Sequence, residues 1–253
     1  MTRKKDVVIV QLRNPVGQNE PVPVLRVFDD KQMIRLKRAF FEDTIRQVAE
    51  VPTVDIRLAV SPASRASWAS DAVENLAKRY ASQPEYAKLQ NRVTIVTQDT
   101  APLDERTARN LQECVDAGYQ RIVMVGGYTP TLDTNRIEDA LTHLSKHPII
   151  LGPTIEGGCY MIGLRGDCAQ AVGLVTVGSD VAYKNSTTAL RKAGLHWQEI
   201  ELSYDAGHQE DLEFIVREIN HCRYTGDEET GRCTESVLAE FMQASDADDG
   251  DRH

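Results

Sequence analysis

The chain has 253 residues, of which 41% are hydrophobic, and a formal net charge of −9 at pH 7. This length fits one large domain with a buried core, and the acidic balance argues against a nucleic-acid surface, which needs basic patches. No stretch reaches the roughly 20 apolar residues of a membrane span. The five cysteines form no CxxC pair, which suits a reducing compartment. We therefore predict a cytoplasmic protein that binds neither nucleic acid nor membrane.

Short apolar runs recur along the chain and predict strands. Several are rich in Val and Ile throughout, which is typical of strands that are covered on both faces. The predicted strands are Val7–Leu12, Ile56–Val60, Val93–Thr97, Ile122–Val125, Ile149–Leu151 and Tyr160–Leu164.

Segments with apolar residues at helical spacing separate these runs. Gly118 and Gly194 follow two of the segments, at the position where glycine commonly ends a helix. The alternation of buried strands and helices predicts a mostly parallel sheet between two helix layers. The predicted helices are Met33–Val48, Asp104–Ala117, a helix N-capped by Asp133, Ser186–Ala193 and Glu210–Cys222.

Two segments lack this alternation. Asn14–Asp30 contains three prolines and a glycine, which predicts a loop after the first strand, where loops often cover ligands. Beyond Gly226 the chain is acidic and polar, and we predict a short helix over Ser236–Gln243 and a disordered end, SDADDGDRH. The expected organisation is one domain over residues 1–222 and a largely flexible tail over 223–253.

Two glycine pairs stand beside predicted strands. RIVMVGGYTPTL (residues 121–132) ends a buried strand in Gly126-Gly127, which is where α/β proteins usually place ligands. LGPTIEGGCYMIGL (151–164) has Glu156 as its only carboxylate, followed by Gly157-Gly158. This second pair either shapes a tight turn or lets the backbone approach a ligand.

Two further stretches carry charged or titratable side chains. In ELSYDAGHQEDLEFI (201–215), Asp205 and His208 either contact a ligand or shape the turn before a helix. In QDTAPLDERTARNL (98–111), Arg106 is either a ligand contact or part of a solvated helix start, where acidic neighbours complement the helix dipole.

Together these stretches resemble a bacterial family of GT-A-fold, nucleotide-diphospho-sugar-transferase-like proteins. The family's motifs GSDxPxL, GPxxDGGYYLIGL and YDVDTPEDL are matched in order by GGYTPTL, GPTIEGGCYMIGL and YDAGHQEDL. FFEDTI (40–45) is similar to its FLxDTL, and LDER (103–106) to its LGER. The resemblance covers roughly residues 6–220. The family includes glycosyltransferases linked to arsenosugar biosynthesis and is distantly related to phospholactate guanylyltransferase and the molybdenum-cofactor nucleotidyltransferases.

The resemblance implies a three-layer α/β/α, Rossmann-like GT-A fold and the transfer of a group from a nucleotide-activated small molecule to an acceptor. It implies Glu156 and Asp205 as catalytic carboxylates and Mg²⁺ or Mn²⁺ at the donor's phosphates. In a rearranged site, Asp205 and His208 are the candidate metal ligands, and in a metal-free version the arginines take the place of the metal. The residues that it implies at the substrate or nucleotide are Arg13, Gly17, Arg26, Arg106, Gly127, Tyr128, Gly157 and Gly158.

The chain departs from the family at charged positions. Tyr128 and Gly207 replace two aspartates, and the basic KTRL of the first loop is lost. A hard cation held by carboxylates neutralises a diphosphate as it leaves, and a neutral tyrosine is a poor ligand for such a cation. Two hypotheses follow: an active glycosyl- or nucleotidyltransferase with a rearranged site, and a non-catalytic member that binds a nucleotide or a partner.

Overall fold

The computed structural model describes residues 6–12, 28–177, 179–204, 206 and 209–250. Within them one sheet has seven strands, and all run parallel except the sixth. The strands are β1 (Asp6–Leu12), β2 (Asp55–Val60), β3 (Val93–Thr97), β4 (Arg121–Gly126), β5 (Ile149–Pro153), β6 (Cys159–Arg165) and β7 (Gln198–Glu199). Their order is β3-β2-β1-β4-β6-β5-β7.

Helices cover both faces of this sheet. They are α1 (Asp30–Ala49), α2 (Ala66–Arg79), α3 (Pro84–Ala87), α4 (Leu89–Arg92), α5 (Leu103–Asp116), α6 (Thr134–Leu144), α7 (Ala182–Lys192), α8 (Gln209–Tyr224) and α9 (Arg232–Gly250). One core cluster joins a face of the sheet to α1, α2, α6, α8 and α9. The other cluster joins the opposite face to α5, α7 and a 3₁₀ turn, Ala169–Leu174. The three-layer, mostly parallel fold predicted from the sequence is confirmed.

The observed strands coincide with the apolar runs of the sequence. All six predicted strands form, each within two residues of its predicted ends. The sequence analysis missed β7, whose two residues are polar, and α2, although Ala69, Ala72 and Leu76 lie at helical spacing and are buried. Beyond β7, Ser203 makes an isolated bridge to Thr154.

Strand β1 lies at the centre of the sheet, between β2 and β4. The chain builds outward from β1 to β2 and β3, and then crosses back to β4 on the other side. The carboxyl ends of β1 and β4 therefore flank the topological switch point, which is where open α/β sheets form a ligand crevice.

A buried carboxylate of α1 holds the last helix in place. Asp43 is 1% exposed. It accepts hydrogen bonds from the backbone N–H groups of Cys233 (3.0 Å) and Thr234 (2.8 Å) and from the Thr234 hydroxyl (2.7 Å). The first N–H groups of a helix have no partner within it, so Asp43 caps α9 from another helix. Further along α9, the Phe241 ring lies 5.2 Å from that of Phe28.

The end of the chain differs from the predicted tail. Helix α8 continues to Tyr224, and α9 begins at Arg232 rather than Ser236 and continues to Gly250. Phe241 is buried in the same core cluster as α1, so this part of the predicted tail packs on the domain. Extension beyond Gln243 has a simple physical reason, since each residue added to an anchored helix brings one more backbone hydrogen bond. Residues 251–253 lie outside the described residues.

We expect Asp43 to make folding stability depend on pH. Burial raises its pKa to about 6 from the ordinary 3.8, against the opposing effect of the hydrogen bonds from Thr234 and Cys233. Because the folded pKa lies above the unfolded one, this group's stabilising contribution is complete below pH 3.8 and is lost as the pH rises to 6. The total change is about 3 kcal/mol.

Asp43→Asn removes this titration. Urea denaturation between pH 4 and pH 7 should show a smaller fall in the free energy of unfolding for this variant than for the unmodified protein. Asp139→Asn, which changes an exposed aspartate of α6, should retain the original pH profile. Equal profiles for the Asp43 variant and the unmodified protein would contradict the assignment.

Candidate functional site

The end of β4 is pressed against the end of β1. Gly126 pairs with Gln11, and the Gly127 N–H donates to the Gln11 carbonyl oxygen at 2.9 Å. A Cβ atom at Gly127 would lie 3.0 Å from that oxygen and 3.3 Å from the Leu12 Cα. A side chain here would push the two strand ends apart, so glycine at position 127 sets the floor of the crevice.

Tyr128, which replaces the family's aspartate, is buried rather than open to the crevice. The residue is 2% exposed, its ring makes an edge contact with Phe40 at 6.5 Å, and the Lys37 ammonium lies 5.5 Å from the ring centre. A cation over a ring is a favourable contact. The Tyr128 ring thus packs in the core, and its backbone carbonyl oxygen accepts a hydrogen bond from the Ala206 N–H at 3.0 Å.

The sequence FFEDTI is bound to this turn. The Thr44 hydroxyl accepts a hydrogen bond from the Thr129 N–H at 3.2 Å and donates to the Phe40 carbonyl oxygen. The Phe41 ring would be 3.3 Å from a Cβ at Gly127. Phe41 and Thr44 of α1 thus contact the β4 turn, while the neighbouring Asp43 caps α9.

Glu156 lies at the tip of the β5–β6 hairpin and is partly exposed. The tip is built around Thr154, whose hydroxyl accepts from the Gly158 N–H at 2.8 Å and whose carbonyl oxygen accepts from the Gly157 N–H at 3.0 Å. Because β6 starts where β5 ends, this hairpin lies at the same edge of the sheet as Gly126.

Gly157 has a φ of +94°, and a Cβ there would lie 2.3 Å from the Asp180 carbonyl oxygen. Its own carbonyl oxygen accepts from the Tyr183 N–H at 3.1 Å. At Gly157 the backbone therefore lies close to the chain's own segment before α7.

The segment around residue 204 joins the hairpin to the β4 turn. The Ser203 N–H donates to the Pro153 carbonyl oxygen at 3.1 Å, and the Ala206 N–H donates to the Tyr128 carbonyl oxygen at 3.0 Å. The Tyr204 hydroxyl lies 2.6 Å from that of Thr131. Three motifs that are far apart in sequence therefore meet at one edge.

Several predicted site residues lie outside the described residues. They are Arg13, Gly17 and Arg26 in the first loop, and Asp205 and His208 on either side of Ala206. Within the described part of the chain, no three His, Cys, Asp or Glu side chains form a cluster fit for a metal ion. Since Asp205 and His208 lie outside the described residues, the metal site stays a prediction.

Arg106 is buried at 2% exposure beneath the loop before α5. Its Nε donates to the Ala101 carbonyl oxygen at 2.9 Å, and one terminal nitrogen donates to the Gln98 side-chain oxygen at 3.5 Å. These contacts brace the loop, so the guanidinium is not part of the solvated helix start that the sequence analysis kept as an alternative.

A small pocket, with room for about one water molecule, lies at the switch point. Its ten lining residues carry no formal charge: Gln11, Leu103, Met124, Val125, Gly126, Cys159, Tyr160, Met161, Ile162 and Val177. The Cys159 thiol stays protonated near neutral pH because burial raises its pKa to about 12. The lining is therefore uncharged and largely apolar.

Gln11 is the polar side chain of this pocket that the sequence analysis missed. It is 4% exposed, and its Oε1 accepts from the Thr107 hydroxyl at 3.1 Å. Its Nε2 is buried and has no hydrogen-bond partner in the described part of the chain. The signal was present in the sequence, since a lone glutamine in the buried run VVIVQL needs a reason to be there.

The chain belongs to the family "Uncharacterized protein conserved in bacteria (DUF2064)", whose model matches residues 44–179, more than half of its length. Comparison with curated proteins gives no match. In the described residues, no helix is both long enough and apolar enough to cross a membrane.

Three solved structures show the same fold. A proposed nucleotide-diphospho-sugar transferase from Desulfovibrio desulfuricans G20 is 20% identical, with a TM-score of 0.65 over 95% of this chain and 99% of that one. A 4-diphosphocytidyl-2C-methyl-D-erythritol synthase from Anaerococcus prevotii DSM 20548 is 13% identical, with a TM-score of 0.54 over 83% and 94%. A CMP:2-keto-3-deoxy-manno-octonic acid synthetase in complex with CTP is 12% identical, with a TM-score of 0.50 over 85% and 99%.

The hairpin tip gives a test by substitution. Gly157→Ala should lower the free energy of unfolding by more than about 2 kcal/mol, because it combines a positive φ with a backbone clash. Gly194→Ala is the matched control, since Gly194 has a φ of +70° but open space around its Cβ position. Urea denaturation should show the smaller loss for the control, and equal losses would show that the clash at Asp180 is absent.

The buried position of Tyr128 predicts that the family's aspartate cannot simply be restored. Tyr128→Asp should lower the free energy of unfolding by about 3–5 kcal/mol, since it deletes a core ring and buries a carboxylate. Tyr224→Asp is the control, because Tyr224 is 90% exposed, and its stability should stay close to that of the unmodified protein. If Tyr128→Asp has the same free energy of unfolding as the unmodified protein, the side chain at position 128 faces the crevice instead.

Proposed function

We propose that the protein binds a nucleotide-activated sugar at the carboxyl edge of its sheet and transfers a group from it to an acceptor. The observation that carries this proposal is the meeting of three motifs at the switch point. Hydrogen bonds of Gly127, Ser203 and Ala206 unite the β1 and β4 ends, the β5–β6 hairpin and the segment before α8. The carboxyl edge at this junction is the place where an open α/β sheet receives a nucleotide.

The fold of the compared structures supports the same class. Their names describe proteins that act on nucleotide-diphospho-sugars or that make cytidylyl products, and one of them holds CTP. For this chain, the corresponding proposals are a glycosyltransferase-like activity first and a nucleotidyltransferase activity as the alternative within the same class. At 20% identity or less, these structures support the class through their shared fold alone.

In the proposed reaction, an oxygen of the acceptor attacks the activated carbon or phosphorus of the donor while the bond to the leaving phosphate group breaks. Glu156, partly exposed at the hairpin tip, is the proposed base for the acceptor's proton, and Asp205 is the proposed second carboxylate. A divalent cation, when held by Asp205 and His208, would neutralise the donor's phosphates. Arg13 and Arg26 are the proposed phosphate contacts of the first loop, in which Gly17 leaves room.

The glycines and buried residues of the site act through shape. Gly127 keeps the β1 and β4 ends together, while Gly157 and Gly158 form the hairpin that presents Glu156. Tyr128 and Arg106 hold the turn and the loop that border the crevice. In such a site, rate acceleration comes mainly from positioning and charge neutralisation.

A non-catalytic nucleotide-binding role is the second candidate function. The observation that favours it is the burial of Tyr128 at the position of the family's aspartate, which removes one carboxylate from the floor of the crevice. Binding would then use the crevice and the first loop without transfer.

A panel of UDP-, GDP- and dTDP-sugars, each with Mn²⁺ or Mg²⁺, tests the proposal. At least one should raise the melting temperature of the protein, and Asp205→Ala should abolish the shift. Asp139→Ala, on the exposed side of α6, is the matched control and should retain it. The proposal fails if no nucleotide sugar changes the melting temperature, with or without metal.

The same panel separates the two candidate functions. An active transferase should slowly transfer the sugar of its bound donor to water and release the nucleoside diphosphate. Glu156→Gln should reduce this hydrolysis while leaving the thermal shift unchanged. A donor that stabilises the protein but is never cleaved, with or without candidate acceptors, would favour the non-catalytic role.

A further inference from the structure

A groove of about 500 Å³ runs along the solvent side of α1. Its walls are α1, the end of α2 and the first turns of α9. None of its lining residues is among the predicted site residues at the switch point. Its volume lies within the range of small-molecule sites, so the groove has room for more than one phosphate group.

Four arginines from three helices line this groove, against a single carboxylate, Glu42. Arg35 and Arg38 belong to α1, Arg79 ends α2 and Arg232 begins α9. The chain as a whole has a net charge of −9, so the positive excess here is opposite to the average. Guanidinium groups present fixed pairs of N–H donors that match phosphate and carboxylate oxygens. The lining therefore fits an anion.

Two of these arginines form ion pairs that an anion can replace. Arg35 contacts Glu240, and Arg232 lies 2.7 Å from Glu229, with 53% and 52% of the two arginine side chains exposed. Exposed ion pairs of this kind contribute little to stability. An anion with several charges contacts more than one guanidinium at once, which a single carboxylate does not.

Arg79 has no carboxylate partner in the described part of the chain. One of its terminal nitrogens lies 3.8 Å from the Cys233 Sγ, and a thiol is only a weak acceptor. Burial raises the pKa of this thiol to about 12, so a thiolate does not form near neutral pH to balance the guanidinium. The charge of Arg79, which is an exposed residue, is thus left for a ligand.

The carboxylates of α1 beside the groove are already engaged. Glu42 accepts a hydrogen bond from the Arg38 Nε at 3.1 Å. Asp43 accepts from the N–H groups of Cys233 and Thr234. Because those N–H groups are taken, the contacts to an anion must come from the arginine side chains rather than from the end of α9.

We infer that this groove binds a small anion with several linked phosphate groups, held chiefly by Arg79 and Arg232. A single phosphate would fill only part of a groove of this size, whereas linked phosphates extend along it past guanidinium groups of three helices. The bound anion would connect α9 to α1 and α2 and would thereby stabilise the fold. This site is separate from the proposed catalytic site and does not depend on the proposed function.

Isothermal titration of inorganic tripolyphosphate, without metal and in about 0.1 M salt, tests the inference. The unmodified protein should bind tripolyphosphate more tightly than it binds inorganic phosphate. Arg79→Gln should weaken tripolyphosphate binding about tenfold, because it removes a charged donor. Arg79→Lys should have an intermediate affinity, since lysine keeps the charge and loses the paired N–H groups.

Linked phosphates occur in inorganic polyphosphate and in nucleotides, so ATP is titrated in parallel. Equal affinities for ATP and tripolyphosphate would show that the groove recognises the phosphates alone. Tighter binding of ATP that Arg79→Gln also weakens would show that the phosphates of a nucleotide occupy it. Both results support the inference.

Two controls separate this groove from other anion sites. Arg217→Gln makes the same change at an exposed arginine of α8, which pairs with Glu213 outside the groove. Arg13→Gln removes a proposed phosphate contact of the catalytic site. Both variants should bind tripolyphosphate with the affinity of the unmodified protein, and urea denaturation shows whether each variant is folded.

Three results would overturn the inference. The first is an equal tripolyphosphate affinity for Arg79→Gln and the unmodified protein. The second is an equal loss for Arg79→Gln and Arg217→Gln, which would mean non-specific attraction to surface arginines. The third is a loss with Arg13→Gln alone, which would place the anion in the proposed catalytic site. In each case the proposed function is still decided by the nucleotide-sugar panel.

Discussion

The contact between the ends of β1 and β4 is the constraint on which the site depends. Gly127 donates to the Gln11 carbonyl oxygen, and no side chain fits between that residue and β1. This closeness brings the Gln11 side chain beside Met124 and Gly126, where it lines the pocket. It also fixes the direction of the next residue, whose ring enters the core against Phe40. One glycine contact thereby decides both what faces the crevice and what does not.

Helix α1 connects this site to the last helix of the chain. Its consecutive residues Asp43 and Thr44 face different partners, since Asp43 caps α9 and Thr44 holds the N–H of Thr129. The capping distances are short and the carboxylate is buried, so α9 is bonded to the domain by more than surface contacts. A substitution in the first turn of α9 would therefore also affect α1, the helix that supports the β4 turn. In this way the FFEDTI motif has a structural explanation that does not require any of its side chains to touch a ligand.

The layers and the strands could be predicted because buried parallel strands appear in the sequence as continuous apolar runs. Such a run can be recognised without knowing what packs against it. The cap of α9 could not be predicted, since Asp43 and Thr234 are 191 positions apart and no local pattern links them. The short β7 depends on backbone pairing with β5, and its polar residues carry no strand signal. Motif matching could place Tyr128 at the end of β4, yet only packing against Phe40 shows which way its ring points. Glu156 lies at the predicted edge, whereas the positions of Asp205 and His208 fall outside the described residues.

The burial of Tyr128 shifts the charge of the proposed site from its floor to its rim. The ends of β1 and β4 present an uncharged pocket, and the predicted carboxylate Glu156 lies on the β5–β6 hairpin. Glu156 lies on the hairpin at the same edge of the sheet as the end of β4, whereas the other predicted charged residues, Arg13, Arg26, Asp205 and His208, lie outside the described residues. A buried tyrosine at position 128 therefore leaves the end of β4 without a carboxylate, and the predicted carboxylate that the structure describes is Glu156 on the hairpin.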